Sequence, residues 1–154
     1  VTHLKLVRKK YRAFPQEILK LKNLVYLDLS KNRMDSIPNS IQLLTKLEHL
    51  KIKSNRLTQF PEALYLLPSL KKLSLAENMI ESIPSGISEM KKLMELDLYR
   101  NSITSISSEI KNLDSLKKLD LRMIELNDSE QERIRALLPN TKVLLTEPCN
   151  CASY

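Results

Sequence analysis

Two histidines and two cysteines are the residues of this chain best suited to metal binding or thiol chemistry. His3 and His49 occupy the same position of a repeating pattern, two repeats apart, which would separate them by about 10 Å in a stacked structure. They cannot share one metal ion, because its ligand bonds are about 2.1 Å long. Cys149 and Cys151 lie near the C-terminus, where we interpret them as free thiols; metal binding or pairing between chains is the alternative.

The arrangements of residues that carry out catalysis are absent from the sequence. It contains no Ser/His/Asp set, no HExxH, no glycine-rich phosphate loop and no Cys/His cluster of metal-site spacing. We therefore expect no enzymatic activity, no cofactor, no metal and no small-molecule substrate. Asn127-Asp128-Ser129 matches a glycosylation sequon, but the start of a helix explains these residues equally well.

Composition places the chain among single-domain globular proteins, with 154 residues, 42% of them hydrophobic and 28% charged. No apolar run approaches the roughly 18–20 residues that cross a bilayer. The net charge of +7 is uneven: residues 1–77 contain 15 Lys and Arg against 6 Asp and Glu, and residues 78–154 contain 10 against 12. The first half is therefore suited to an acidic partner.

A 23-residue repeat organises the sequence. Positions 4 and 6 of each copy are apolar around a variable position 5, which predicts a short strand with one buried face. Position 9 is asparagine in the central copies, where a buried amide can satisfy backbone groups of neighbouring coils. Proline at position 15 prevents the strand from continuing. The copies are residues 1–23, 24–46, 47–69, 70–92 and 93–115, with a partial one at 116–126.

The C-terminal part departs from the repeat. Ser129-Glu130-Gln131-Glu132 predicts a capping box at the start of a helix, and Val143-Leu144-Leu145 predicts a short final strand. We expect residues 127–146 to form a cap over the open end of the core, followed by a tail at 147–154. Val1 already falls within the repeat pattern. The sequence therefore leaves open whether an N-terminal segment or a signal peptide preceded it.

The repeats follow the pattern L-x-x-L-x-L-x-x-N-x-[LIM]-x-x-[IF]-P-x-x-[IL]-x-x-[LM]. This pattern resembles the leucine-rich repeats of Erbin-type Ras-binding scaffold proteins, and also those of secreted or surface proteins of spirochaetes and other bacteria. The resemblance implies an α/β solenoid: a horseshoe segment with a concave parallel β-sheet and a C-terminal helix-strand cap. It also implies protein binding and, for a bacterial member, action outside the cell on host proteins. A cytoplasmic location is the alternative.

We predict that positions 3 and 5 of each copy project from the concave face, with positions 7 and 8 at its margin. The variable residues there fall into two groups, and Asp28 lies among the first. We define the basic patch as His3, Lys5, Tyr26, His49, Lys51, Lys53 and Lys72. We define the acidic patch as Glu95, Asp97 and Asp120, which lie beside Tyr99, Arg100 and Arg122.

Tyr and Arg are typical anchors of protein interfaces, so these groups predict a bipolar site for a protein of complementary charge. One alternative is a binder of nucleic acid or acidic polysaccharide through the basic patch. Another is a structural or oligomerising segment of a longer protein. A smaller convex set is interpreted either as an exposed apolar patch or as the closure of the core. It comprises Leu19, Leu43, Tyr65 and Leu66.

Overall fold

Each 23-residue repeat forms one coil, in which a short strand on one side is followed by a 3-10 helix on the other. The computed structural model describes residues 1–147; Cys149 and Cys151 lie outside the described residues. The strands are β1 His3–Lys5, β2 Tyr26–Asp28, β3 His49–Lys51, β4 Lys72–Ser74, β5 Ser82–Ile83, β6 Glu95–Asp97, β7 Ser105–Ile106, β8 Lys118–Leu121 and β9 Lys142–Leu145. The 3-10 helices are Gln16–Lys20, Asn39–Leu43, Glu62–Leu66, Ser85–Glu89 and Ser108–Asn112, and the α-helix α1 is Asp128–Leu137.

Within residues 1–147, seven strands form one parallel sheet in the order β1-β2-β3-β4-β6-β8-β9, and β5 pairs with β7 on the flank of the solenoid. The register joins residues 23 apart, so that Leu27 pairs with Leu50 and Leu50 with Leu73. These leucines are fully or almost fully buried, and burying each side chain contributes about 1.5–3 kcal/mol. The repeat period thus places one apolar layer of every coil directly above the next, which confirms the predicted solenoid.

The proline at position 15 begins the 3-10 helix of each of the first four coils. Pro38, for example, has an extended backbone with φ of −76° and precedes the helix Asn39–Leu43. Proline suits this place because its fixed φ and missing N–H cost nothing before the first helical hydrogen bond. In the fifth coil the serine at this position, Ser107, instead accepts a hydrogen bond from the Glu109 N–H.

The asparagines of position 9 connect the coils, as the sequence predicts. Asn55 Nδ2 donates to the carbonyl oxygens of Leu29 and Ile52, each at 3.1 Å, while its Oδ1 accepts from the Met34 N–H at 3.0 Å. Asn32, Asn78 and Asn101 repeat this arrangement. Each amide therefore satisfies backbone groups of two successive coils that the tight bend would otherwise leave unpaired.

A second device at the bends is not predicted from the sequence, which points only to asparagine and proline. The residue at position 8 has a left-handed backbone in every coil. Glycine adopts this conformation most easily, yet none of these residues is glycine. They are Arg8, Lys31, Ser54, Glu77, Arg100 and Met123, with φ between 54° and 59°.

The C-terminal helix begins two residues before the predicted position. Asn127 is the N-cap, and its Oδ1 accepts from the Glu130 N–H at 2.9 Å, so the predicted capping box at Ser129 is wrong. An asparagine can satisfy the free N–H groups of a first helical turn as well as serine can, and here the chain enters the helix at Asn127. Arg133 then fixes α1 to the last full repeat by donating to the Ile106 carbonyl oxygen at 2.6 Å.

The convex apolar set divides in two. Tyr65 and Leu19 pack against the core, whereas Leu43 and Leu66 are exposed. The Tyr65 ring stacks on Phe60 with centroids 5.8 Å apart, and its hydroxyl is buried without a hydrogen-bond partner among the described residues. Burial, together with nearby Glu62, raises the pKa of Tyr65 to about 12.

Gly86 leaves the space that this tyrosine occupies. A Cβ atom at Gly86 would lie 2.4 Å from Tyr65 Cε2. We expect Gly86→Ala to lower the free energy of unfolding by about 1–3 kcal/mol, because the half-buried ring must move. Chemical denaturation would measure this, with Ser85→Ala in the same helix as a control. If Tyr65→Leu fails to relieve the cost of Gly86→Ala, the clash is not its cause.

Candidate binding surface on the concave sheet

The strand register arranges the variable side chains of the concave face into columns. The central residue of strands β2, β3, β4 and β6 is buried, and the residues on either side of it face outward. Column 3 is His3, Tyr26, His49, Lys72, Glu95 and Lys118, and column 5 is Lys5, Asp28, Lys51, Ser74, Asp97 and Asp120. The sequence-predicted residues of these positions therefore lie on one continuous surface.

Three aromatic rings form a ladder at the N-terminal end of column 3. The His3 and Tyr26 rings are stacked with centroids 5.7 Å apart, and the His49 ring meets Tyr26 edge-on at 6.2 Å. Burial, reinforced by the positive charge of Lys72, lowers the pKa of His49. The lowered pKa favours the neutral form of the His49 ring, which presents an amphipathic surface beside Tyr26.

Two lysines converge on the middle of this ladder. Lys5 Nζ lies 5.9 Å and Lys51 Nζ 5.7 Å from the centroid of the Tyr26 ring, which is within the range of a cation–π interaction. Among the described residues, neither ammonium group lies within 4.0 Å of a carboxylate. Both charges are therefore available to a partner.

The other two lysines of the basic patch already have acidic partners. Lys72 Nζ lies 2.7 Å from Glu95 Oε1, and Lys53 Nζ lies 3.1 Å from Glu77 Oε1. The pKa of Glu77 is lowered mainly by a hydrogen bond from the Ser54 hydroxyl and, to a smaller extent, by one from Lys53. The Lys72–Glu95 pair joins the basic patch to the acidic patch, so the two are continuous rather than separate.

Within the acidic patch, Asp120 is buried, with only 6% of its surface exposed. The Arg122 side chain donates to it twice, from Nε to Oδ1 at 3.0 Å and from Nη2 to Oδ2 at 2.7 Å, and the Arg122 backbone N–H donates to Oδ1 at 3.1 Å. Burial acts to raise the pKa of Asp120, but the hydrogen bonds and the charge of Arg122 outweigh it and lower the pKa. Asp120 is therefore poorly placed for the direct contact expected from the sequence, and it acts on the surface by positioning Arg122.

Arg122 in turn covers Tyr99, with its guanidinium carbon 5.8 Å from the ring centroid. Asp97, one coil before Asp120, accepts from the Ser74 hydroxyl at 2.8 Å and from the Tyr99 N–H at 3.1 Å. Tyr99 and Arg122 thus form a second aromatic and cationic unit at the C-terminal end of the face. Because Asp120 already fixes the guanidinium, little side-chain entropy remains to be lost when a partner binds.

A shallow concavity of about 540 Å³ lies between these two ends of the sheet. Ser74 and Lys118 contribute to its lining but are not among the sequence-predicted contact residues, although they occupy columns 5 and 3. The strand period alone could have identified them. Sequence reasoning misses Ser74 because it has neither charge nor an aromatic ring, and it misses Lys118 because this residue is separated from the basic patch along the chain. The lining also includes Tyr26, His49, Lys51, Lys72, Glu95, Asp97, Asp120 and Arg122.

Across residues 1–147, no three His, Cys, Asp or Glu side chains come together in a group that could hold a metal ion. His3 and His49 lie on opposite sides of Tyr26 in column 3. The face is an open sheet lined by hydrogen-bonded, charged and aromatic side chains, which is an arrangement suited to a macromolecular partner.

A leucine-rich-repeat family model matches residues 1–57 and 68–123, and the chain belongs to this family. Its members are typically binding scaffolds that use the concave surface of a stacked solenoid. No significant match was found among curated protein sequences. None of the helices within residues 1–147 is long and apolar enough to span a membrane.

Solved structures with the same fold come from bacteria and plants. A leucine-rich-repeat protein of Leptospira interrogans is 33% identical with a TM-score of 0.82, and the match covers 93% of this chain but 36% of that protein. Internalin C2 of Listeria monocytogenes is 23% identical with a TM-score of 0.73, covering 95% and 62%. The ectodomain of an Arabidopsis thaliana membrane receptor kinase, solved with CASPARIAN STRIP INTEGRITY FACTOR 2, is 28% identical with a TM-score of 0.71, covering 94% and 18%. The chain therefore spans less than two thirds of each of these proteins.

Proposed function

We propose that this protein binds another protein through its concave sheet. The observation that carries the proposal is the presence of two aromatic and cationic units on one face, the His3–Tyr26–His49 ladder at one end and the Tyr99–Arg122 unit at the other. Tyrosine and arginine supply a large share of the binding energy at protein interfaces. Several of these groups are held by contacts within the sheet, which reduces the entropy lost on association.

The test blocks the concave face with a side chain and uses a matched change on the opposite face. Ser74→Arg places a long side chain in the concavity, and Gln42→Arg adds the same charge at an exposed position of the helix Asn39–Leu43 on the other side. Each variant would be immobilised beside the wild type and exposed to extracts of host-cell surface and cytosolic proteins. Bound proteins would be identified by mass spectrometry.

We expect a protein that is retained by the wild type and by Gln42→Arg but lost by Ser74→Arg. Equal retention by all three forms, or selective loss with Gln42→Arg, would contradict binding by the concave face. Thermal unfolding of the purified variants would confirm that both substitutions leave the fold intact, since neither position is in the core.

The aromatic ladder gives a second prediction. We expect Tyr26→Ala combined with His49→Ala to weaken binding of the retained protein by about 2–4 kcal/mol, which is the range of interface hot spots. Stability should change little, because both rings lie outside the apolar core. Isothermal titration calorimetry would measure the affinity, with Leu43→Ala, at an exposed position of the helix Asn39–Leu43 on the opposite face, as the control. Unchanged affinity would remove the ladder from the interface.

We further propose that the protein acts outside the cell, as a bacterial secreted or surface protein that recognises host proteins. The support is its likeness to the Leptospira protein and to internalin C2. Treatment of intact source cells with a protease, followed by detection with an antibody, would test this location. Loss of the antibody signal, or its presence in the medium, is the expected result. Protection until the cells are lysed would favour a cytoplasmic location.

A further inference from the structure

We infer that the partner presents an acidic, extended polypeptide segment to the concave face, with its carboxylates bound by Lys5 and Lys51 on either side of Tyr26. The inference rests on the proposed function and specifies the chemistry of the partner. It follows from which charges of the face remain unpaired. The sequence predicts a bipolar site that would suit an acidic and a basic region of a partner equally. In the structure, a larger share of the acidic than of the basic side chains is paired internally, which favours an acidic region of the partner.

Internal ion pairs occupy much of the acidic patch. Glu95 is paired with Lys72, and Asp120 with Arg122. Asp97 accepts hydrogen bonds from Ser74 and from a backbone N–H, which satisfy part of its hydrogen-bonding capacity. Asp97 is thus the only carboxylate of the acidic patch without an ion pair among the described residues, and the patch attracts a basic segment of a partner less than its sequence suggests.

The basic patch keeps its unpaired cations. Lys5 and Lys51 have no carboxylate within 4.0 Å among the described residues, and their ammonium groups approach the same tyrosine ring from the two neighbouring coils. Asp28 lies between them in column 5, where its Oδ1 accepts from the Ser30 N–H at 2.9 Å, and its one negative charge offsets only one of the two lysines. The net unpaired charge at this end of the face is therefore positive, and it is held against an aromatic surface.

The spacing of the two lysines fits an extended segment that crosses the strands. Their backbones are two coils apart, about 10 Å, and their ammonium groups lie 5.9 and 5.7 Å from the centroid of the same Tyr26 ring. In an extended chain, side chains at i and i+2 share one face and are about 7 Å apart. Carboxylates at these positions could each reach one lysine, while the residue between them faces away from the sheet.

The same geometry disfavours a long polyanion. The cationic region covers the first three coils, a distance of about 10 Å. Glu95 and Asp97 lie two coils beyond Lys51. A nucleic acid strand carries one phosphate every 3.4 Å or so, and its continuation along the solenoid would meet the carboxylate of Asp97, which has no ion pair among the described residues. A short cluster of acidic side chains has no such continuation and can place neutral or basic residues there.

The experiment uses a fluorescein-labelled peptide, Gly-Glu-Ser-Glu-Ser-Glu-Gly, whose glutamates alternate as the spacing requires. Its counterpart has glutamine in place of each glutamate. Fluorescence anisotropy would be measured with the wild type, with Lys5→Gln combined with Lys51→Gln, and with Lys22→Gln combined with Lys92→Gln. The last pair removes the same charge from exposed positions outside the sheet.

We expect the wild type to bind the glutamate peptide and not the glutamine peptide. The Lys5 and Lys51 variant should weaken this binding about tenfold or more, and the Lys22 and Lys92 variant less than about twofold. Failure of the wild type to bind, or equal weakening by both variants, would overturn the inference. A seven-nucleotide oligothymidine or a heparin hexasaccharide that binds more tightly, and through the same two lysines, would also overturn it.

The outcome separates this inference from the proposed function. If a protein captured by the wild type is lost with Ser74→Arg but binds Lys5→Gln with Lys51→Gln at full affinity, the concave face is the binding site and the acidic segment is wrong. If Ser74→Arg loses nothing, the proposed function itself fails. Parallel loss of the captured protein with both variants supports both.

Discussion

Replacing Asn78 by alanine is expected to lower the free energy of unfolding by about 3 kcal/mol or more. Its Nδ2 donates to the carbonyl oxygens of Ile52 and Leu75 at 3.0 and 2.9 Å, and its Oδ1 accepts from the Leu57 N–H at 3.1 Å. Truncation leaves these buried backbone groups without partners, and each unsatisfied group costs about 1–3 kcal/mol. Urea denaturation followed by circular dichroism would measure the change.

The matched control for this substitution is Asn140→Ala. Asn140 is exposed in the turn before β9, so its loss should change stability by less than about 0.5 kcal/mol. Asn78→Asp separates the two roles of the amide, because it retains an acceptor and loses the donors. If Asn78→Ala were no more destabilising than Asn140→Ala, the asparagines would not be what connects the coils.

The second large effect is expected for Leu73→Ala, at about 2–5 kcal/mol of lost stability. Leu73 is the central residue of β4, with 2% of its surface exposed, and lies between Leu50 and Leu96 in the sheet register. The surrounding strands are fixed by parallel pairing, so the coil cannot collapse to fill the cavity. Thermal and urea unfolding of the purified variant would both report the loss.

Leu66→Ala removes the same atoms at a position that is 46% exposed. We expect it to cost less than about 1 kcal/mol, because nearly half of the side chain already contacts solvent. A similar cost for both leucines would mean that the inner layer of the sheet contributes no more to stability than the convex surface. A measurable loss of partner binding with Leu66→Ala would instead identify a role for the exposed convex leucines.

Much of the fold was predictable because the period of 23 fixes which residues stack. Once Leu27 and Leu50 are assigned to one layer, the neighbouring columns of the concave face follow from strand geometry. The start of α1 is not fixed by the sequence, because both Asn127 and Ser129 are good helix-capping residues and only the path of the chain selects between them. The left-handed residues at position 8 have no common side-chain type and leave no signal in the sequence.

The columns of the candidate surface were predictable, but the state of their charges was not. Sequence position places Asp120 beside Asp97, which suggests an acidic patch. Only the side-chain geometry shows that Arg122 holds Asp120 in two hydrogen bonds. Likewise, the pairing of Lys72 with Glu95 depends on contact between adjacent coils. The difference between free and paired charges, which decides the chemistry of a partner, therefore comes from packing.

The left-handed residues at position 8 separate recognition from folding. Glycine would relieve backbone strain of about 1–2 kcal/mol at each of these bends, but it would also erase the side chain that borders the concave face. Residues such as Arg100 and Lys31 keep a functional group there at a conformational cost. If the concave face binds the partner as we propose, we expect substitutions along this rim, glycine included, to change specificity while leaving the buried layers untouched. It is the part of the molecule where a change of partner would endanger the architecture least.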